Sequence, residues 1–316
     1  MTKLERLIIR SAPVAFLIRE SQRWVIRGFS GVSLYEVVHF YLKQVKKLGL
    51  TERAAAISFN LIMALPAAVL FLFSLIPYLP QSKKLQYQVS GLLKDIAPNS
   101  DTSLFINKIV QDLSEQHVGL FSFGFLLLIF YASNAMMGII KTFDKSIYEK
   151  KKFFLHQRWR AIRVTFILII LILFSTLLLL VGRDQLVFVL KNVFNMRRNE
   201  RIPWWNATRW FILVCLLFYG IALIYKFAPS VKKRWNLLSP GSVLATVLTL
   251  ATTILFSYWV NNFASYNKVY GSIGTVLIIM ILIYFNSLIL LIGFELNVSI
   301  TYLAREAEEK KMLDAG

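Results

Sequence analysis

Polar side chains set inside long apolar stretches are the first candidates for chemistry in this chain. Ser58, Asn60 and Pro66 fall within about two turns of a predicted helix, and Asn134 and Asn286 stand in two other apolar stretches. A polar group in membrane hydrocarbon is costly unless it finds a partner or water. These five residues therefore form a candidate substrate pathway. A kink at Pro66 and hydrogen bonds between helices are the structural alternatives for the same residues.

A second set of charged and amide residues lies near one predicted end of the apolar stretches. Glu295 closes the last stretch, and we expect it to pair with Arg53 or Lys226. The set as a whole predicts a ring of salt bridges that holds the helix ends together, with a proton relay as the alternative. Its members are Arg53, Asp144, Arg163, Lys226, Glu295 and Asn297.

Residues 270–274 (YGSIG) place two glycines and a serine just ahead of the last apolar stretch. Glycine and serine are typical of turns, because glycine adopts backbone conformations that other residues avoid. Tyr270, Gly271 and Gly274 therefore predict a tight external turn where the chain re-enters the membrane. A lid over the bundle is the alternative.

The residues that most enzymes rely on are sparse and scattered. The three histidines are far apart, and the single cysteine, Cys215, lies in an apolar stretch. No phosphate-binding loop, HExxH pattern or clustered set of metal ligands is present in the sequence. The sequence therefore predicts no catalytic site, no metal, no cofactor and no enzymatic activity.

The elements that position these residues are apolar helices. Hydrophobic residues make up 57% of the chain and charged residues 17%, which is more apolar than soluble domains. Crossing a hydrocarbon core takes about 20 helical residues. The predicted fold class is an all-α membrane protein whose domain, residues 54–302, is a six-helix bundle with spans at about 54–79, 119–140, 161–182, 207–228, 240–260 and 272–294.

The charge distribution predicts the orientation of this bundle. A net charge of +19 could serve a nucleic acid or a membrane surface. With the N-terminus inside, 25 of the 36 Lys and Arg residues fall on the cytoplasmic side, as the positive-inside rule requires. Both termini are therefore predicted to be cytoplasmic. Topology accounts for the charges, and no nucleic-acid partner is expected.

Segments outside the spans also carry helical patterns. Residues 1–53 form a basic region in which Ser33 and Glu36 predict a helix start and Gly49 a stop. This helix is expected either to lie along the inner leaflet or to pack on the bundle. Residues 82–115 predict an external amphipathic helical hairpin, and residues 303–316 a short cytoplasmic tail.

Several motifs resemble one family of bacterial membrane proteins. The segment TERAAAISF at residues 51–59, continued to Leu65 and Pro66, resembles the first-helix signature of the YihY/BrkB family, formerly labelled ribonuclease BN. Asn60 stands where relatives commonly have Tyr, and Phe294 where they commonly have Ala. Further matches between about residues 33 and 302 are YKFAP at 225–229, Trp235, Pro240 with Gly241, YGSIG at 270–274 and GFELN at 293–297.

The resemblance implies a multi-pass protein of the bacterial inner membrane whose activity is unsettled. Relatives are linked to serum resistance and to lipid movement across that membrane. We therefore expect a transporter or flippase-like protein for a lipid or other amphiphile, with membrane lipids as its partners. A non-transporting scaffold for an envelope complex and a membrane-associated RNA-processing enzyme are the alternatives. A homo-oligomer is compatible with the sequence, which specifies neither the substrate nor the oligomeric state.

Overall fold

The fold is taken from a computed structural model of the chain, which describes a subset of its residues. These are residues 19–22, 24, 28–29, 31–47, 49–78, 118–147, 154–194, 205–231, 234–262 and 265–314. The external hairpin predicted at 82–115 lies outside the described residues.

The described residues form helices and contain no strand, so the predicted all-α class is confirmed. A short 3-10 turn at Ile76–Tyr78 follows the second helix. The helices are α1 (Leu34–Lys47), α2 (Leu50–Leu75), α3 (Val118–Ser146), α4 (Phe154–Phe194), α5 (Trp205–Phe227), α6 (Pro240–Asn262) and α7 (Ser265–Asp314).

Several of these helices are long and apolar enough to cross a membrane. Within the described part of the chain, five segments meet both conditions. The span predicted at residues 161–182 lies within α4, which runs as one helix of 41 residues. The five segments are Leu50–Leu72, Phe121–Ser146, Trp210–Phe227, Pro240–Trp259 and Val276–Asp314. The structure is therefore that of a multi-pass membrane protein.

Helix α7 differs from its predicted boundaries at both ends. The tight turn predicted at Tyr270, Gly271 and Gly274 is wrong, because these residues lie inside the 50-residue helix. A glycine within a helix costs only about 1 kcal/mol relative to alanine, which neighbouring apolar turns can offset. The helix also continues through most of the predicted tail, where Lys310 and Glu306 form an i,i+4 ion pair at 3.0 Å.

Helix α1 begins and ends as its sequence predicts. The Ser33 hydroxyl accepts a hydrogen bond from the Glu36 amide at 3.3 Å, and Gly49 has a φ of +57°, which favours glycine after a helix. The helix packs on the bundle through α7: Val37 joins a buried cluster with Ile300, and the Phe40 and Tyr302 rings stack at 5.0 Å. Helix α1 therefore packs against α7, as one of its two predicted placements requires.

Several helix ends meet at one end of the bundle, called here the polar end. It is where α2, α4 and α6 begin, where α3 and α5 end, and where α7 passes residue 295. Gly241 of α6 and Gly293 of α7 meet there so closely that a Cβ on Gly293 would lie 2.5 Å from the Gly241 carbonyl oxygen. Farther along, the same two helices line an open apolar cavity of about 470 Å³ beside Phe256 and Phe285.

Candidate functional site

An ion pair between α2 and α7 forms the centre of the polar end. The Arg53 guanidinium donates to the Glu295 carboxylate at 3.1 Å. The same guanidinium donates to the Thr142 carbonyl at 2.5 Å and to the Ser146 hydroxyl at 2.6 Å, both on α3. Ser146 in turn donates to Glu295. One charged network therefore joins α2, α3 and α7, and the predicted pairing of Glu295 with Arg53 is confirmed.

This ion pair is removed from solvent. Glu295 is completely buried and Arg53 is 7% exposed. Both strong hydrogen bonds to Glu295 reach Oε1, whereas Oε2 is buried and has no hydrogen-bond partner among the described residues. A buried charge requires pairing because it has lost its hydration. One of the two carboxylate oxygens of Glu295 therefore receives no hydrogen bond from the described residues.

Tyr41 of α1 lies close enough to Glu295 for the carboxylate charge to affect the pKa of its phenol. Tyr41 is partly buried, and burial together with the negative charge of Glu295 raises the pKa of Tyr41 to about 12. Its phenol is therefore protonated throughout the ordinary pH range. Helix α1 thus adds a neutral hydroxyl, and no second negative charge, to the surroundings of Glu295.

Aromatic rings enclose the network from the α5 side. Phe143 of α3 stacks on Phe294 of α7 with ring centroids 3.7 Å apart, and Tyr225 and Trp235 meet Phe294 edge-on. The Tyr225 hydroxyl donates to the Leu290 carbonyl at 2.7 Å. These rings exclude water from the neighbouring ion pair, which strengthens its electrostatic interaction.

A second polar cluster surrounds Asp144 on α3. Its carboxylate accepts from Arg160 at 3.2 Å, from Gln157 at 3.0 Å and from the Ser230 amide at 3.0 Å. Arg160 also donates to the Ala228 carbonyl at 2.9 Å, which lies just beyond the last turn of α5. This cluster therefore ties together the ends of α3, α4 and α5.

A third cluster caps the start of α6. The Gly241 amide donates to the Asn297 side-chain oxygen at 2.8 Å, and the Asn297 amide donates to Ser239 at 2.9 Å. Ser242 accepts from the Ser239 amide at 3.1 Å. The free amides at the α6 N-terminus are thereby satisfied by side chains, and Asn297 acts as a structural link between α6 and α7.

The predicted ring of charges is therefore divided into separate clusters. Residues two positions apart on a helix point in different directions, so Glu295 faces α2 and α3 while Asn297 faces α6. Arg163 is exposed, and the Lys226 ammonium lies 5.7 Å from the centroid of the Phe227 ring. The ring was predicted from depth along the helices, and the structure separates its members because residues at one depth face different directions.

Arg160 and Ser146 are important members of these clusters that the sequence prediction missed. Arg160 lies just ahead of the span predicted at 161–182, whereas Arg163 lies inside it, and the structure places both on α4. Ser146 lies two residues beyond Asp144 and therefore faces another direction. Serine is common in membrane helices, and its type alone does not mark it as a partner of a carboxylate.

Several residues predicted as a substrate pathway take part in hydrogen bonds within or between helices. Ser58 and Asn60 hydrogen-bond to the carbonyls of Ala55 and Ala56 on their own helix, and Pro66 is exposed. Asn134 accepts from Arg158 of α4. The side-chain oxygen of Asn286 is buried, with no hydrogen-bond partner within the described ranges.

Further cavities lie among the described helices, and they include one apolar and one polar example. An apolar cavity of about 250 Å³ lies between α2, α3 and α4, and Ala68, Ala135 and Leu168 are among the residues that line it. At the polar end, a cavity of about 100 Å³ is lined by residues that include Ser146, Trp235, Thr301 and Arg305. The molecule therefore offers an apolar space inside the span region and a polar space at one end of it.

A metal centre finds no support in the part of the chain that the structure describes. Within it, no three His, Cys, Asp or Glu side chains come together in a group that could hold an ion. The acidic residues of the two polar clusters are instead engaged by Arg53 and Arg160.

Comparison with known proteins places the chain among membrane proteins. The family described as Virulence factor BrkB matches residues 41–315. The chain is 29% identical over 247 residues to YfkH of Bacillus subtilis, whose name calls it ribonuclease-like; the match covers 78% of this chain and 88% of YfkH. It is 30% identical over 102 residues to the UPF0761 membrane protein IL2447 of Idiomarina loihiensis, covering 32% of this chain and 36% of that one.

A third relative matches over most of its length. A UPF0761 membrane protein of Actinobacillus pleuropneumoniae is 22% identical over 262 residues, which cover 81% of this chain and 90% of the relative. No solved structure matches the chain.

Proposed function

We propose, from the premise that this chain belongs to the virulence factor BrkB family, that it moves a lipid or another amphiphile between membrane leaflets. The family expected from the sequence motifs is confirmed by this match. The proposed location is the bacterial inner membrane, with six spans and both termini in the cytoplasm. The bias of Lys and Arg toward one side of the predicted spans supports this orientation.

The observation that carries the proposal is the apolar cavity between α2, α3 and α4. It lies within the candidate spans of α2 and α3. Its walls are almost entirely alanine, leucine, isoleucine, methionine and phenylalanine, with Thr165 as a polar exception. Such a lining suits a hydrocarbon chain and offers a hydrated ion no compensation for its lost water.

The unpartnered hydroxyl of Thr165 supports an amphiphile as the occupant. Thr165 is 3% exposed, lines the cavity, and its Oγ1 has no hydrogen-bond partner in the described structure. A buried hydroxyl without a partner is unfavourable. An ester or hydroxyl oxygen next to an apolar chain would supply that partner.

Reconstitution into vesicles tests the proposal. Labelled phospholipids of several headgroup classes should cross between leaflets faster in vesicles with the protein than in empty ones. Ala68→Phe fills the cavity and should slow this movement. Ala56→Phe adds the same volume to an exposed position of the same helix, outside the cavity, and should leave the rate unchanged. Equal rates in vesicles with and without protein would contradict the proposal.

A scaffold is the second candidate, favoured by the outer face of α1. Val38 is 42% exposed and Leu42 is 53% exposed on this helix, which is a surface that another protein could cover. A scaffold predicts a stable partner in affinity purification and no loss of phenotype when Asn60 or Glu295 is replaced. A loss of both phenotype and lipid movement in the Ala68→Phe variant would favour the transporter.

The name of the relative YfkH raises RNA processing as a third candidate. A basic surface that bound RNA would do so with steep salt dependence. Incubating the same purified protein with RNA tests this candidate directly, and intact RNA would argue against it.

A further inference from the structure

Glu295 is a buried acid whose surroundings do not fully compensate it. Its side chain is completely buried between helices, Oε1 receives hydrogen bonds from Arg53 and Ser146, and Oε2 receives none from the described residues. A carboxylate that only fixed the helix ends would be expected to use both oxygens. The arrangement leaves the charged form incompletely stabilised.

A single hydroxyl separates this acid from a cavity at the polar end. Ser146 donates to Glu295 and also lines the cavity of about 100 Å³, together with Thr301 and Arg305. That space is large enough for water, and its lining supplies polar partners for it. Ser146 therefore connects the buried carboxylate to the solvent side of the bundle.

We propose that Glu295 is a proton-binding site, loaded through the Ser146 hydroxyl from the polar end, whose charge state determines whether Arg53 is held between α3 and α7. In the transfer, the proton that Ser146 donates moves onto Glu295 Oε1. A hydronium ion in the cavity returns a proton to the serine oxygen and becomes water. The release reverses these two steps, and only O–H bonds form and break.

The charged and titratable groups around Glu295 are consistent with this role. Arg53 of α2 is the cationic partner, Tyr41 of α1 stays neutral, and Tyr225 of α5 is buried with its hydroxyl donated to a carbonyl. On α3, Asp144 is engaged by Arg160. The α6 positions closest to Gly293 are Gly241 and Ala245, which do not titrate.

Neutralising Glu295 has a structural consequence. Arg53 would keep its hydrogen bonds to the Thr142 carbonyl and the Ser146 hydroxyl but would lose its counter-charge, and a buried guanidinium without a counter-charge is strongly unfavourable. The start of α2 would then move relative to α3 and α7. Helix α2 also forms one wall of the apolar cavity, so proton binding would act on the proposed lipid site; this coupling rests on the proposed function.

Infrared difference spectroscopy on the full chain in vesicles tests the proton site without relying on transport. Acidification should produce a protonated-carboxyl band that is lost in Glu295→Gln and kept in Glu306→Gln, a control on the exposed part of the same helix. Ser146→Ala should shift the midpoint of this band to higher pH, because it removes a hydrogen bond to the ionised carboxylate. The matched control is Ser133→Ala, a buried α3 serine that bonds only within its own helix.

Each outcome decides one part of the proposal. A band that persists in Glu295→Gln, or no band in the unaltered protein, would overturn the proton site. If Glu295→Gln does not fold, an unchanged midpoint in Ser146→Ala overturns the proton site instead.

A second experiment tests the coupling to lipid movement. With an imposed pH gradient, the rate of lipid movement should change in the unaltered protein and stay the same in Glu295→Gln. Equal responses in the two proteins would overturn the coupling. A Glu295-dependent band without any lipid movement would uphold the proton site and reject the proposed function.

Discussion

The polar end and the apolar cavity share helices α2, α3 and α4, yet they differ in how closely the helices are joined. At the polar end, Arg53 bonds to both α3 and α7, Phe143 stacks on Phe294, and two glycines bring α6 and α7 into contact. Between the middle parts of α2, α3 and α4, small side chains leave a space of about 250 Å³. The difference indicates one region that holds the helices together and another that leaves room between them.

Removing the central arginine should have the largest effect on stability. Arg53→Ala leaves Glu295 buried without its cation, and losing one partner of a buried pair costs about 3–5 kcal/mol. Arg163→Ala, at an exposed position, should change stability by less than about 0.5 kcal/mol. Unfolding in detergent measures both. Equal small losses would mean that the ion pair does not hold the polar end together.

Truncating one leucine in each region should show the same difference in packing as a difference in stability. Leu291 is completely buried in the main cluster, so Leu291→Ala should cost about 2–5 kcal/mol, as for other packed cores. Leu168 already borders the apolar cavity, and Leu168→Ala should cost less because fewer contacts are lost. The same unfolding measurement checks this. A larger loss at Leu168 would show that the cavity is filled and tightly packed.

The smallest effect concerns alkaline pH. The pKa of the Tyr41 phenol is about 12 in the folded protein against an ordinary value of 10.0. A raised folded pKa gives stability that is fully present below pH 10 and is lost as the pH rises through 12. Tyr41→Phe should therefore reduce the loss of stability in this range and leave neutral pH little affected. Unfolding measured against pH, with phenolate absorbance as a second signal, checks the sign.

The sequence predicted those features that depend on local composition. Apolar runs marked the helices, and Ser33 and Gly49 marked the ends of α1. The position of Glu295 at the end of a stretch indicated Arg53 or Lys226 as its partner, and Arg53 is the one observed. Each of these follows from one segment or from depth alone. The YGSIG segment misled because glycine and serine are turn-formers in water and are tolerated inside membrane helices.

What the sequence could not predict depends on the rotation of one helix against another. The pairing of Asp144 with Arg160, the contact of Gly241 with Gly293 and the cap that Asn297 places on α6 all require knowing which faces meet. The depth of a residue along its helix follows from its position in the sequence. Direction across the bundle results from the packing of all the helices together.

The contact between Gly241 and Gly293 limits which side chains these two positions accept. A Cβ on Gly293 would lie 2.5 Å from the Gly241 carbonyl oxygen, and one on Gly241 would lie even closer to the Gly293 carbonyl oxygen. Both neighbours are backbone atoms, which cannot rotate away as a flexible side chain can. Even alanine at either position would therefore force α6 and α7 apart and disturb the Asn297 cap that joins them.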